Sequence, residues 1–144
     1  MATSTAGIAH AAIAAHLTRM PMGYVRSSSK DHGRRNRIEG RLTSGQKAVV
    51  VEDLISTAGS AIETADAVRK AGAEVLGIAS IFTYGMKKST ENLEKAGYCN
   101  VSLCDLDALC DVACEKGYIS SKQMAKVICF RNEPETDLWM KEEW

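Results

Sequence analysis

A chain of 144 residues, 45% apolar and 25% charged, can bury a core as one α/β domain without disulfides or a structural metal. Its 18 basic and 18 acidic side chains cancel, so bulk charge argues against nucleic acid or an anionic membrane as a partner. No apolar run reaches the length of a membrane span, and the alanine-rich, histidine-interrupted start does not read as a signal peptide. Cys99, Cys104, Cys110, Cys114 and Cys129 form no CxxC pair and have no histidine close in sequence, which speaks against zinc. They are read as reduced, small core residues of a cytoplasmic protein.

In chain order, the small-residue turn from Thr3 to Gly7 leads into an alanine-rich helix over 8–17. A short strand over 22–26 follows Pro21. Residues 27–37 are polar and basic, contain glycine and show no periodicity, so they are expected to form a mobile loop, with 38–42 as its returning strand. Residues 48–51 are a continuous apolar run, the mark of a buried parallel strand. A turn is expected over 53–60, then a helix over 61–71 with Ile62, Ala65 and Val68 on its buried face and Gly72 as its stop. Residues 75–82 form the next buried strand, and the right-handed crossover rule makes it parallel to the first. Beyond lie a helix over 88–96 closed by Gly97, a strand near 101–103, and helices over 106–116, 121–130 and 135–141, the last opened by Pro134.

The chemistry gathers in VVVEDLISTAGS, residues 49–60. Glu52 and Asp53 sit where a buried strand ends, the edge of an open α/β sheet at which ligands bind. An acidic pair there can accept hydrogen bonds from two ribose hydroxyls. Thr57-Ala58-Gly59-Ser60 brings small side chains and two hydroxyls to a helix N-terminus, where free N–H groups and the dipole favour a monophosphate. The lysine of a Walker P-loop is absent, and so is GxGxxG. The plain alternative is a strand–turn–helix connection with a serine cap, but the ordered coincidence of apolar run, acid pair and hydroxyl-rich turn favours the binding site.

Glu52 to Ser60 resembles the phosphoribosyl pyrophosphate motif of type I phosphoribosyltransferases. Tyr24-Val25-Arg26, Lys30-Asp31-His32-Gly33, Asn36 and Ile38-Glu39-Gly40 resemble the catalytic loop of orotate phosphoribosyltransferases, as do Ile81-Phe82-Thr83-Tyr84-Gly85 and the C-terminal half. The resemblance covers nearly the whole chain. It implies the type I phosphoribosyltransferase fold: one domain over 1–144, with a mostly parallel central sheet flanked by helices. The implied reaction is Mg²⁺-dependent transfer of the phosphoribosyl group of phosphoribosyl pyrophosphate to orotate, giving orotidine 5′-phosphate and pyrophosphate in pyrimidine (UMP) synthesis. Glu52 and Asp53 would hold the ribose hydroxyls, and Asp53 would also steady a ribosyl oxocarbenium ion. Ser56, Thr57, Ala58, Gly59 and Ser60 would bind the 5-phosphate. Arg26, Lys30 and His32 would meet the pyrophosphate, as would the turn containing Thr5, whose plain reading is a helix cap. The resemblance implies no dedicated protein metal ligand, and a homodimer in which the loop around Lys30 completes the neighbouring site.

Several positions depart from the family pattern. Relatives begin upstream with a helix, a substrate-covering hood and a first core strand, so the chain is expected to lack these and to expose a sheet edge. Ser27 stands where lysine is common, Arg35 and Ala58 where glycine is usual, and Ala9 where proline is common. Alanine at position 58 is tolerable only if the local φ stays negative. Two readings compete with orotate transfer: a purine phosphoribosyltransferase, against which Lys30–Gly33 and Ile81–Gly85 argue, and a non-catalytic module that binds phosphoribosyl pyrophosphate or a nucleotide. The arginines Arg34, Arg35, Arg37 and Arg41 are read as a solvated or pyrophosphate-attracting surface, and Trp139 as a packing contact.

Overall fold

The computed structural model describes residues 1–26 and 37–140, so Ser27, Lys30, His32, Arg34, Arg35 and the expected mobile loop lie outside the described residues. The described residues form a six-stranded sheet in the order β3-β2-β1-β4-β5-β6. Its strands are β1 (Ala2–Thr3), β2 (Tyr24–Val25), β3 (Ile38–Glu39), β4 (Lys47–Ile55), β5 (Glu74–Thr83) and β6 (Asn100–Asp105). All pair in parallel except β2 with β3. Helices α1 (Gly7–Thr18), α2 (Gly59–Lys70), α3 (Lys87–Ala96), α4 (Leu106–Glu115) and α5 (Ser121–Asn132) fill the connections, and a 3₁₀ turn spans Leu138–Met140.

The β-branched run Val49–Val51 favours an extended chain, and β4 joins β1 to β5 at the centre of the sheet. α2 lays Ala61, Thr64, Ala65 and Val68 onto the sheet. With Val50, Ile55, Ile78, Leu93 and Tyr98 these alanines make the main core. Small side chains let the helix approach the sheet closely, and Tyr98 closes the cluster by donating its hydroxyl to Asp66 at 2.8 Å.

Several expectations are corrected. The strand predicted over 48–51 runs on to Ile55, and α2 begins at Gly59, so the eight-residue turn shrinks to residues 56–58. Hydrogen bonds to the Ile55 carbonyl from the Tyr84 N–H (3.0 Å) and the Thr83 hydroxyl (3.4 Å) carry the pairing past the acid pair. No strand was expected before the Thr3–Gly7 turn, yet Ala2–Thr3 pairs between β2 and β4: the Met1 carbonyl accepts from Val51 N–H at 2.8 Å, and Ala2 N–H donates to the Gly23 carbonyl at 2.9 Å. Ala2 is wholly buried there. Thr3 thus belongs to a strand and Gly7 to a helix, leaving residues 4–6 as the turn.

Of the helix expected over 135–141, the described residues up to 140 form turns and a 3₁₀ turn at Leu138–Met140, and residue 141 lies outside the described residues. Of the cysteines read as core, only Cys110 is buried; Cys99, just before β6, and Cys104, within it, are exposed, and Cys114 and Cys129 are half-buried. All five are free thiols. Trp139 meets Phe130 edge to face at 5.3 Å, the packing contact expected of it. No helix among the described residues is long and apolar enough to cross a membrane.

Candidate functional site

Sheet topology selects where a ligand can sit. From β1 the chain moves outward through α1 to β2; from β4 it moves the other way through α2 to β5. Right-handed crossovers in opposite directions put α1 and α2 on opposite faces and open a crevice at the carboxyl ends of β1 and β4. The turns at residues 4–6 and 56–58 both leave from those ends. Arg26, which follows β2, leaves from the same edge.

The 56–58 turn is held from several sides. Asn92 of α3 donates to the Thr57 carbonyl at 2.9 Å, and Ile62 N–H reaches the Ala58 carbonyl at 3.0 Å. Ser56, Thr57, Gly59 and Ser60 remain exposed at the mouth of α2. Ala58 is the N-cap and has φ +66° and ψ 8°, with no side-chain cap bond. The condition for an unstrained alanine, a negative φ, is not met: a three-residue reversal into a helix needs a left-handed residue, and alanine takes the place that suits glycine. The serine cap of the plain reading is not formed, since Ala58 is the N-cap of α2.

Glu52 is the more enclosed acid of the pair. It is 3% exposed, and its carboxylate accepts from Ser60 Oγ at 3.1 Å and from the Asp53 N–H at 3.1 Å. Burial pushes its carboxyl up to about 7, the neighbouring Asp53 carboxyl adds to this, and the hydrogen bonds from Asp53 N–H and Ser60 pull the other way. The Thr3 hydroxyl faces the same carboxyl and pulls its pKa down, yet falls short of full hydrogen-bond geometry. Thr3 Oγ1 is buried without a partner among the described residues. Asp53, half-buried, is the more accessible acid of the pair.

The remaining expected residues are placed as follows. Thr5 is exposed in the 4–6 turn, and α1 begins without a side-chain cap, so the helix-cap reading fails there too. Arg26 ends β2 with Nε 3.5 Å from Glu39, and its carbonyl accepts from Arg37 Nε at 3.2 Å. Lys30 and His32 lie outside the described residues. Among the described residues no group of three or more His, Cys, Asp or Glu gathers to hold a metal ion. Sequence reasoning missed Asn92 and gave Thr83 no bracing role; both hold the strand-to-helix turn from elements remote in sequence, and only the fold brings them there.

This geometry belongs to a known class. Residues 4–112 match the phosphoribosyl transferase domain model, and the chain belongs to that family. Within it, the curated relatives that match nearly the whole chain are orotate phosphoribosyltransferases. One from Halalkalibacterium halodurans is 49% identical over 97% of this chain and 67% of its own length. One from Bacillus cereus is 52% identical over 96% of this chain and 66% of its own length. The chain therefore spans about two thirds of the length of the curated relatives it matches.

Solved structures agree. Leishmania donovani UMP synthase superposes with a TM-score of 0.74 at 26% identity, over 90% of this chain and 28% of that one. The orotate phosphoribosyltransferase of Aeropyrum pernix gives 0.71 at 28% identity, over 83% of this chain and 64% of that one. The Mycobacterium tuberculosis enzyme in complex with phosphoribosyl pyrophosphate gives 0.53 at 31% identity, over 62% and 50%. The expected type I fold with its mostly parallel sheet is thereby established.

Proposed function

We propose that this chain carries the sugar-phosphate half of an orotate phosphoribosyltransferase site. The reaction would transfer the phosphoribosyl group of phosphoribosyl pyrophosphate to orotate, giving orotidine 5′-phosphate and pyrophosphate in UMP synthesis in the cytoplasm. The observation that carries the reading is the acid-and-hydroxyl turn at the switch-point crevice, in a chain about half identical to enzymes of that name.

In this reading the C1–O bond to pyrophosphate breaks, the leaving group keeps the electron pair, and a ring nitrogen of orotate bonds to C1 as its N–H proton passes to the pyrophosphate or solvent. Asp53 accepts from the ribose hydroxyls and steadies positive charge on the ring. Ser56, Thr57, Gly59 and Ser60 surround the 5-phosphate, with the α2 dipole pointing at it. Arg26, Lys30, His32 and the turn at Thr5 face the pyrophosphate, where donors aimed at developing charge contribute most. Glu52, buried and engaged by Ser60, shares the ribose hydroxyls with Asp53 in this reading. Mg²⁺ is proposed to arrive on the pyrophosphate of the substrate. A homodimer, with the loop around Lys30 completing the partner's site, is part of the same proposal.

A second reading, a non-catalytic phosphoribosyl pyrophosphate-binding module, draws support from the chain's spanning only two thirds of its relatives. The purine alternative has only a likeness to adenine phosphoribosyltransferase at 18% identity, which bears on the fold alone. Mixing the chain with orotate, phosphoribosyl pyrophosphate and Mg²⁺ separates them. Orotate absorbance should fall, and should hold steady in Asp53→Asn and in Lys30→Ala. Binding without turnover would favour the module, and consumption of adenine instead would favour the purine enzyme.

A further inference from the structure

The turn at the mouth of α2 is held by a side chain to which the proposed chemistry gives no task. Asn92 lies within α3, half-buried, and its Nδ2 donates to the Thr57 carbonyl at 2.9 Å. α3 is itself well seated. Leu93, next in sequence, packs into the main core, and the buried Ser89 hydroxyl donates to the Met86 carbonyl at 2.6 Å. Asn92 thus reaches the turn from an anchored element 35 residues away in sequence.

The consequence of that bond follows from the geometry of the peptide plane. The peptide between Thr57 and Ala58 is trans, so its carbonyl and its N–H point in opposite directions. β5, β6 and α3 lie to one side of β4, and β1 with the crevice lies to the other. A Thr57 carbonyl fixed toward α3 therefore aims the Ala58 N–H toward the crevice. That N–H donates to no group among the described residues. Ala58 makes the restraint matter more. Its φ of +66° is one that a Cβ disfavours. Turning the 57–58 peptide over would return Ala58 to a negative φ, and would also turn the N–H away from the crevice. The Asn92 bond opposes that rotation.

We propose that Asn92 is a positioning residue. By holding the Thr57 carbonyl against the strain at Ala58, it keeps the Ala58 N–H facing the phosphate. This rests on the reading of the 56–58 turn as the 5-phosphate site, and deepens it.

Ribose 5-phosphate is the probe. In calorimetric titration of the whole chain, Asn92→Ala should bind it about fivefold more weakly than the parent, the worth of one hydrogen bond. Asn92→Leu, which keeps the bulk of the side chain but cannot donate, should match that loss. Circular dichroism checks the fold of both. A turned peptide also leaves a spectroscopic mark that lost stability alone would not. Saturating ribose 5-phosphate should move the ¹⁵N-labelled Ala58 amide clearly in the parent, and much less in Asn92→Ala. Glycine at position 58 relieves the strain, so in an Ala58→Gly chain the added Asn92→Ala change should cost only about twofold. Parental affinity in both Asn92 variants, an unchanged Ala58 amide shift at saturation, or an undiminished loss in the Ala58→Gly chain overturns the proposal alone. A parent that does not bind ribose 5-phosphate overturns the site reading beneath it.

Discussion

Ala58 and Ala61 are both buried alanines, three residues apart, and they should respond oppositely to glycine. Ala61 lies inside α2, so Ala61→Gly forfeits a buried methyl and helix propensity, about 2 kcal/mol together. Ala58 holds φ +66°, where a Cβ is disfavoured by roughly 1–2 kcal/mol, so its lost methyl is offset. Thermal or urea unfolding should find Ala58→Gly within about 1 kcal/mol of the parent and Ala61→Gly well below it.

Glu52 makes a second prediction at this scale. Its folded pKa of about 7 lies above the ordinary 4.5, so between those values the folded chain keeps a proton that the unfolded chain has released. Stability from this group is therefore full at the acid side of the window, falls as pH rises through about 7, and then levels. Urea unfolding from about pH 5 to about pH 8 should show Glu52→Gln gaining on the parent by about 2 kcal/mol as pH rises. A constant gap would contradict the buried-acid account. The residue types in the turn were legible from sequence because small and hydroxylated side chains have few other reasons to follow an acid pair. The burial of Glu52 was not, since it depends on Thr3 and Ser60 arriving from other elements.

Among the elements, β4 and α2 were readable because a β-branched run and an amphipathic helix each carry a distinct period. Their junction was misplaced: Thr83 and Tyr84 extend the strand past Asp53 through contacts that no local pattern encodes. β1 escaped notice for a related reason. Two residues, Ala2 and Thr3, have no periodicity, and only the vacancy between β2 and β4 makes them a strand. The packing of α1 against that centre depends on Gly7. Gly7→Ala would drive a Cβ to 2.6 Å from a backbone oxygen, so melting should show a loss of about 1–3 kcal/mol. At the other end, Ser120 caps α5 through a reciprocal box with Gln123. Ser120→Ala should cost about 1 kcal/mol, read as faster amide exchange over α5 while β4 and β5 keep their protection.

The whole molecule presents an uneven sheet. Leu76, Val101 and Leu103 are 50%, 69% and 80% exposed, and β6 is an edge strand. Exposed apolar side chains on a free edge favour association. Sedimentation of a Val101→Lys, Leu103→Lys double variant should therefore show less concentration-dependent association than the parent. The doubly wound parallel plan was legible in outline from the βαβ unit over residues 48–82, whereas the switch point appears only once β1 is in place.

That switch point is the centre of the account: the 56–58 turn and the mouth of α2 should hold the 5-phosphate of a phosphoribosyl group. Titrating ribose 5-phosphate into ¹⁵N-labelled chain tests this most directly. The largest amide shifts should fall on Asp53 and on Ser56, Thr57, Ala58, Gly59 and Ser60, with smaller ones in the 4–6 turn. Saturable shifts centred elsewhere on the sheet, with these amides unmoved, would contradict it.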